Sequence, residues 1–162
     1  MARLINGLYF FWGGECSNWY KSNFSLDGMS FNCVEQFMMY KKAQTFGDQS
    51  IATQIMETSD PSFQKKLGRK VANFDATIWS NVSRDIVFRG LMAKFTQNKS
   101  LNKFLMSFDP MVTFVEASPY DKIWGIGLGE DDPRAINPNQ WLGTNWLGDL
   151  ITEVRGCLES SK

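Results

Sequence analysis

The stretch from Asn32 to Phe46 constrains the fold most, because it is largely apolar and yet carries an acid and an amine. Glu35 and Lys42 are seven residues apart, which is two turns of an α-helix. Their side chains would therefore project in nearly the same direction, about 10 Å apart along the helix axis. Met38 and Met39 lie between them on a stripe that would face the core. Because buried charges are costly unless they pair or do chemistry, this helix is the first place to expect a site.

Length and charge limit the classes of protein to which the chain can belong. A chain of 162 residues is long enough for one domain with a substantial core, and we expect residues 1–162 to form a single domain. The formal net charge of zero gives no global attraction for nucleic acid or an anionic membrane. No apolar run approaches the roughly 18 residues that a membrane span needs, and the N-terminus lacks the features of a signal peptide. Three widely spaced cysteines, Cys16, Cys33 and Cys157, predict reduced thiols and a cytoplasmic location.

The absence of histidine narrows the possible chemistry further. It excludes Ser-His-Asp and Cys-His catalysis, and it removes the commonest zinc ligand. No Cys-x-x-Cys pair compensates, so we expect neither a metal nor another cofactor. Catalysis would have to use carboxylates, lysine, arginine, tyrosine, asparagine or backbone groups.

The pattern of elements predicts an α+β fold that is mostly helical, with a small N-terminal strand and hairpin and one later strand. Residues 7–12 are typical of a buried strand, and Asp27-Gly28 predicts a type I′ hairpin turn. Asn32 is the predicted cap of the first helix. Further helices are predicted at 48–57, from Asp60-Pro61 to about Gly68, at 81–96 and at 99–108.

The C-terminal part is predicted to contain one strand, a long loop and a final helix. Residues 111–116 form the strand, and Gly129 to Trp141 is expected to be a surface loop. Asn145 or Thr144 would cap an amphipathic helix that continues to about Leu158. The connection 73–81 is expected to be non-helical.

Glu35 and Lys42 allow two interpretations. They could lie at the helix rim or form a structural ion pair, as charged residues on amphipathic helices commonly do. Alternatively, Glu35 could be a general acid or base, and Lys42 a phosphate-binding cation or a nucleophile with a lowered pKa. Spacing alone leaves both open.

Three weaker signals have similar alternatives. Gly68-Arg69-Lys70 could complement a helix dipole or clamp a phosphate. The segment Trp124–Gly129 does not fit a Walker motif, but a tryptophan before a glycine-rich turn could stack on a base, or could simply be a core residue. Asn18 and Asn145 could close turns or read a sugar hydroxyl or a base edge.

Taken in order, these segments resemble one family. The resemblance rests on short motifs spread from about Leu8 to Leu158: Ser17-Asn18, Val34-Glu35-Gln36 through Lys42-Ala43, Leu67-Gly68-Arg69, Met92 to Phe95, Glu116-Ala117, Asp121, Trp124 to Gly127, and Asn145 before Leu147 to Ile151. This order resembles the NADAR family, named for NAD and ADP-ribose, whose bacterial members include YbiA-like N-glycosidases. The chain differs from compact members by extra residues at about 131–141.

The resemblance implies a hydrolase that cleaves the ribose C1′–N bond of a nucleotide-like small molecule. The substrate would be ADP-ribose attached to guanine, including guanine in nucleic acid, or a phosphoribosylated riboflavin-pathway intermediate. A non-catalytic nucleotide-binding module is the alternative. The implied catalytic residues are Lys42, Glu35 and Asp121, and the implied substrate-binding residues are Asn18, Arg69, Lys94, Trp124, Gly125 and Asn145. No membrane partner is expected, and the oligomeric state is left open.

Overall fold

The computed structural model describes residues 2–161 and confirms the predicted α+β class. In chain order, the elements are β1 (Ala2–Ile5), β2 (Leu8–Phe11), β3 (Phe24–Leu26), β4 (Met29–Phe31), α1 (Val34–Thr45), α2 (Gln49–Glu57), α3 (Pro61–Gly68), α4 (Ala76–Gln97), α5 (Lys99–Met106), β5 (Thr113–Glu116) and α6 (Trp146–Ser160). Two short 3₁₀ helices, Pro133–Ile136 and Pro138–Gln140, precede α6. The residues group into two compact units, one formed by 18–102 and the other by 2–17 with 103–161.

The unit formed by 18–102 is built around α1, which packs against α2, α3 and α4. Its hairpin, β3 with β4, turns at Asp27 and Gly28, whose φ angles are 54° and 78°. Both central residues therefore have the positive φ of a type I′ turn, which confirms the prediction. The α3 helix also begins as predicted, since the Asp60 carboxylate accepts from the Ser62 N–H and Pro61 occupies the first turn.

The second unit holds a three-stranded sheet in the order β1-β2-β5. Strand β2 is antiparallel to β1 and parallel to β5, and α6 packs on β5. A buried cluster that includes Phe10, Val115, Ile126 and Ala135 forms its core. The predicted strands at 7–12 and 111–116 are confirmed as β2 and β5, whereas β1 was not predicted.

Three boundary predictions are wrong. The N-cap of α1 is Cys33 rather than Asn32, whose side chain instead donates to the Ser59 carbonyl at 2.8 Å. Helix α4 begins at Ala76, within the segment expected to be a connection, because the Asp75 carboxylate accepts from the N–H groups of Thr77 and Ile78 in its first turn. The segment 129–141 is partly ordered by the two 3₁₀ helices, with Ala135 buried among them.

Within residues 2–161, no disulfide joins any of Cys16, Cys33 and Cys157. Of the helices between residues 2 and 161, none combines the length and apolar character that crossing a bilayer requires.

Candidate active site

The first turn of α1 places Glu35 beneath the surface of its unit. Its side chain is only 6% exposed, and its backbone N–H donates to the Asn18 carbonyl at 3.0 Å. This position sets the carboxyl group beside the N–H groups that begin the helix. The side-chain oxygen of Asn18 is also buried, and no hydrogen bond satisfies it within the described residues. Asn18 and Glu35 are therefore neighbours.

Two buried glutamines fix the start of α1. Gln36 accepts from the Asn32 N–H at 2.8 Å, and the Gln64 amide donates to the Thr58 carbonyl at 2.9 Å and to the Asn32 side chain at 3.2 Å. The Cys33 thiol donates to Gln64 at 3.3 Å. Since Cys33 makes no side-chain cap of its own, these bonds are what orient the turn that carries the acid.

Lys42 lies two turns further along α1 and is half-buried. Burial is the main cause that lowers its pKa below the usual 10.5; the nearby Arg69 guanidinium lowers it further, and the Glu35 carboxylate opposes both. The ammonium lies 4.6 Å from the centre of the Phe74 ring. Lys42 is therefore an amine that loses its proton more readily than an ordinary lysine.

Lys94, on α4, is fully buried at 0% exposure. Its ammonium lies 5.0 Å from the Phe95 ring centre and 5.7 Å from that of Tyr20. Burial raises the pKa of the Cys33 thiol to about 11, with Glu35 adding to the rise and Lys94 opposing it. The charges of Glu35 and Lys94 therefore both act on the same thiol.

Arg69 follows α3 as its C-terminal cap and is exposed. Its backbone N–H donates to the Lys65 carbonyl at 3.2 Å. Its guanidinium lowers the pKa of Lys42. Five of the residues named from the sequence thus belong to the unit 18–102 and gather around the inner side of α1: Asn18, Glu35, Lys42, Arg69 and Lys94.

The other four named residues belong to the second unit, where three occupy one tight turn. One carboxylate oxygen of Asp121 accepts from the N–H groups of Ile123 at 2.9 Å and Trp124 at 2.8 Å. The half-buried Trp124 ring meets Trp146 edge to face, with ring centres 5.5 Å apart. A side chain at Gly125 would come within about 3 Å of two backbone carbonyls, those of Glu116 and Asp121, so only glycine fits there without displacement.

Asn145 is fully buried at 0% exposure and holds β5 in place. Its side-chain oxygen accepts from the Glu116 N–H at 3.0 Å, and its amide donates to the Phe114 carbonyl at 3.0 Å. It occupies the N-cap position of α6, but with a φ of 53° and without a side-chain cap bond. Asn145 therefore occupies the predicted N-cap position, but its side chain does not cap the helix.

Sequence reasoning missed the residues that shape this site without being charged. Phe74 under the Lys42 ammonium, Tyr20 beside Lys94, and the Gln64 to Cys33 bond all come from tertiary packing. Gln36 differs from these, because it belongs to the Val34-Glu35-Gln36 motif that the sequence shows. No three of the acidic and cysteine side chains within 2–161 are clustered so that they could hold a metal ion.

Comparison with known proteins decides the family. The model of the NADAR domain matches residues 10–159. The chain belongs to the NADAR family. It is 44% identical over 144 residues to N-glycosidase R617 of Acanthamoeba polyphaga mimivirus, an alignment that covers 86% of this chain and 84% of the viral protein. It is 42% identical over 129 residues to protein irg-1 of Caenorhabditis elegans, covering 78% of this chain but only 60% of irg-1.

A solved structure confirms the fold of this NADAR chain. The NMR structure of Escherichia coli YbiA superposes with a TM-score of 0.76 at 25% identity, covering 95% of this chain and 86% of YbiA. The relatives named N-glycosidases assign the chain to a family of hydrolases that act on N-glycosyl bonds. The resemblance inferred from its ordered motifs is therefore confirmed.

Proposed function

We propose that this NADAR protein hydrolyses the ribose C1′–N bond of a nucleotide-like small molecule. The substrate is either ADP-ribose attached to guanine, free or in nucleic acid, or a phosphoribosylated intermediate of the riboflavin pathway. The names of its relatives support the reaction class. The absence of histidine is consistent with it, because breaking this bond requires a carboxylate and a proton donor rather than an imidazole.

One observation carries the proposal: a half-buried lysine with a lowered pKa on the same helix as a buried acid. An amine attacks carbon only when it is neutral, and burial is a common way for proteins to make lysines neutral. The Glu35 carboxylate raises the pKa of Lys42 and the Arg69 guanidinium lowers it, but burial has the largest effect and the pKa falls. A merely structural ion pair would have raised the lysine pKa instead.

Two routes are compatible with these groups. In the first, water attacks C1′ as the base leaves, and a carboxylate stabilises the positive charge that builds up on the ribose. In the second, neutral Lys42 displaces the base, the ribose ring opens to a protonated imine, and water then releases the sugar and regenerates the amine. Glu35 handles the protons in both, passing one to the departing base and accepting one from water. We favour the second route.

The other named residues have supporting roles in this scheme. Asp121 stabilises the ribosyl cation, Trp124 and Gly125 contact the base, Arg69 binds phosphate, and Asn18 binds a ribose hydroxyl. Asn145 is buried and bonded to the backbone of β5, so we assign it a positioning role instead. Because Lys94 is completely buried, we assign it the role of a fixed positive charge behind the site rather than a direct phosphate contact.

A hydrolysis panel tests the proposal. Purified protein is incubated with ADP-ribosylated guanosine and, separately, with a ribosylaminopyrimidine phosphate, and the released base is measured by chromatography. We expect base release from one of the two, and none with Lys42→Ala. Borohydride added during turnover should trap a ribosyl adduct on Lys42 if the imine route holds, which peptide mass spectrometry would locate.

The other outcomes are equally informative. Tight nucleotide binding without base release from either substrate would overturn the proposal and favour a binding module. Base release without any trapped adduct would reject the imine route and leave direct water attack.

A further inference from the structure

Two large aromatic side chains are exposed at one edge of the sheet in the second unit. Strands β2 and β5 are parallel and end in register at Phe11 and Glu116, so the residues that follow them leave the sheet at the same edge. Trp12 directly follows β2 and is 53% exposed, and Tyr120 follows β5 and is 83% exposed. Their ring centres are 5.9 Å apart and the rings are inclined by 52°.

The backbone holds both rings in this exposed position. The Ser118 hydroxyl accepts from the N–H groups of Tyr120 and Asp121, each at 3.2 Å, and this closes the turn that presents Tyr120. Trp12 is followed by Gly13 and Gly14, and a side chain at either glycine would meet nothing within 4 Å.

A pair of exposed aromatic faces held by tight turns is suited to binding a planar ring. Indole and phenol faces stack on any nucleobase, and the stacking does not depend on the identity of the base. Tyr120 directly precedes Asp121 in the turn assigned to the site, so the pair is continuous with that segment.

We propose that Trp12 and Tyr120 form a stacking platform for a second nucleobase of the substrate, in addition to the base that is released. This inference rests on the proposed function and extends it. Its occupant is the uncharged adenine-type ring at the far end of a dinucleotide-like small molecule. A phosphoribosylated intermediate has only one ring system, so the platform makes the protein prefer the larger substrate class.

Binding measurements on matched probes test this inference. The affinities for ADP-ribose, which has the second ring, and ribose 5-phosphate, which has none, are measured by calorimetry for the wild type and five variants. The variants are Trp12→Ala, Tyr120→Ala, the double alanine variant, the double phenylalanine variant and Met111→Ala. Met111 is 86% exposed and precedes β5, so it lies at the opposite edge of the sheet from the platform.

We expect the double alanine variant to bind ADP-ribose about tenfold or more weakly, while the double phenylalanine variant stays within about threefold of the wild type. Met111→Ala should match the wild type, and ribose 5-phosphate should bind all six proteins alike. Circular dichroism would verify that each variant is folded.

Three results would overturn the platform. They are an unchanged ADP-ribose affinity in the double alanine variant, a parallel loss of ribose 5-phosphate binding, and a wild type that does not bind ADP-ribose. In the last case, hydrolysis of the ribosylaminopyrimidine phosphate would leave the proposed function standing and reject only the platform.

Discussion

Polar side chains have different uses in the two units. In residues 18–102, the buried Glu35 and Lys94 act through their charges on the Cys33 thiol, and Glu35 also acts on Lys42. In residues 103–161, Asp121 and Asn145 give their polar atoms to backbone N–H and carbonyl groups. The first group shifts the pKa of neighbouring groups, whereas the second fixes the path of the chain. Polar side chains therefore act through their charge in one unit and through hydrogen bonds to the backbone in the other.

The largest effect should come from Lys42→Ala, compared with Lys41→Ala on the same helix. Removing the nucleophile should lower kcat/KM by about 10³-fold. Lys41 instead pairs with Asp27 at 2.8 Å, so its removal should change the rate by less than about threefold, as expected for an exposed ion pair. Steady-state base release gives both values, and equal losses in the two variants would remove the contrast between these lysines.

Asn145→Ala should instead affect stability. It leaves the Glu116 N–H and the Phe114 carbonyl without their partner, and we expect it to lower the free energy of unfolding by about 3 kcal/mol. The control is Asn139→Ala at an exposed position, expected to change it by less than about 0.5 kcal/mol. Urea denaturation measures both, and a neutral Asn145→Ala would show that this residue is not architectural.

Asp121→Asn separates the effect of the carboxylate charge from that of its hydrogen bonds to the backbone. The asparagine oxygen can still accept from the N–H groups of Ile123 and Trp124, so the urea midpoint should hardly move. If the carboxylate also stabilises the ribosyl cation, kcat should fall by about 10²-fold. An unchanged kcat would show that Asp121 only holds the turn in place.

The smallest effects should be shifts in the pKa of Lys42. The Glu35 carboxylate raises this pKa and Arg69 lowers it, so Glu35→Gln should move it further down and Arg69→Gln should move it up. The pH dependence of acetylation at Lys42, followed by mass spectrometry, measures the shift without requiring activity. The wild-type midpoint should lie below 10.5, and shifts of the same sign in both variants would contradict the proposed geometry.

Local signals predicted much of the fold. The hairpin turn and the start of α3 could be predicted from a few residues, because the local sequence favours the backbone conformation there. These residues are Asp27-Gly28 and Asp60-Pro61. Strand β1 could not, because four residues form a strand there only by pairing with β2. Apolar periodicity predicts the start of α4 at residue 81, five residues too late, because the capping Asp75 sets the boundary.

The candidate site was predictable to a similar extent. Helical periodicity placed Glu35 and Lys42 on one helix, and the structure bears this out. The sequence could not predict the burial that lowers the Lys42 pKa or the Phe74 ring below its ammonium, because both depend on contacts between distant segments. The catalytic and binding roles of the named residues stay predictions.

The hairpin turn has a mechanical consequence for the two site helices. One oxygen of Asp27 binds Lys41 on α1 at 2.8 Å, and the other binds Arg89 on α4 at 2.6 Å. Lys41 adjoins Lys42, and Arg89 lies on the helix that carries Lys94. Asp27 thus links α1 to α4 through two ion pairs that lie outside the site. Because salt screens exposed ion pairs, the ionic strength of the medium bears on the spacing of the two helices that carry Lys42 and Lys94.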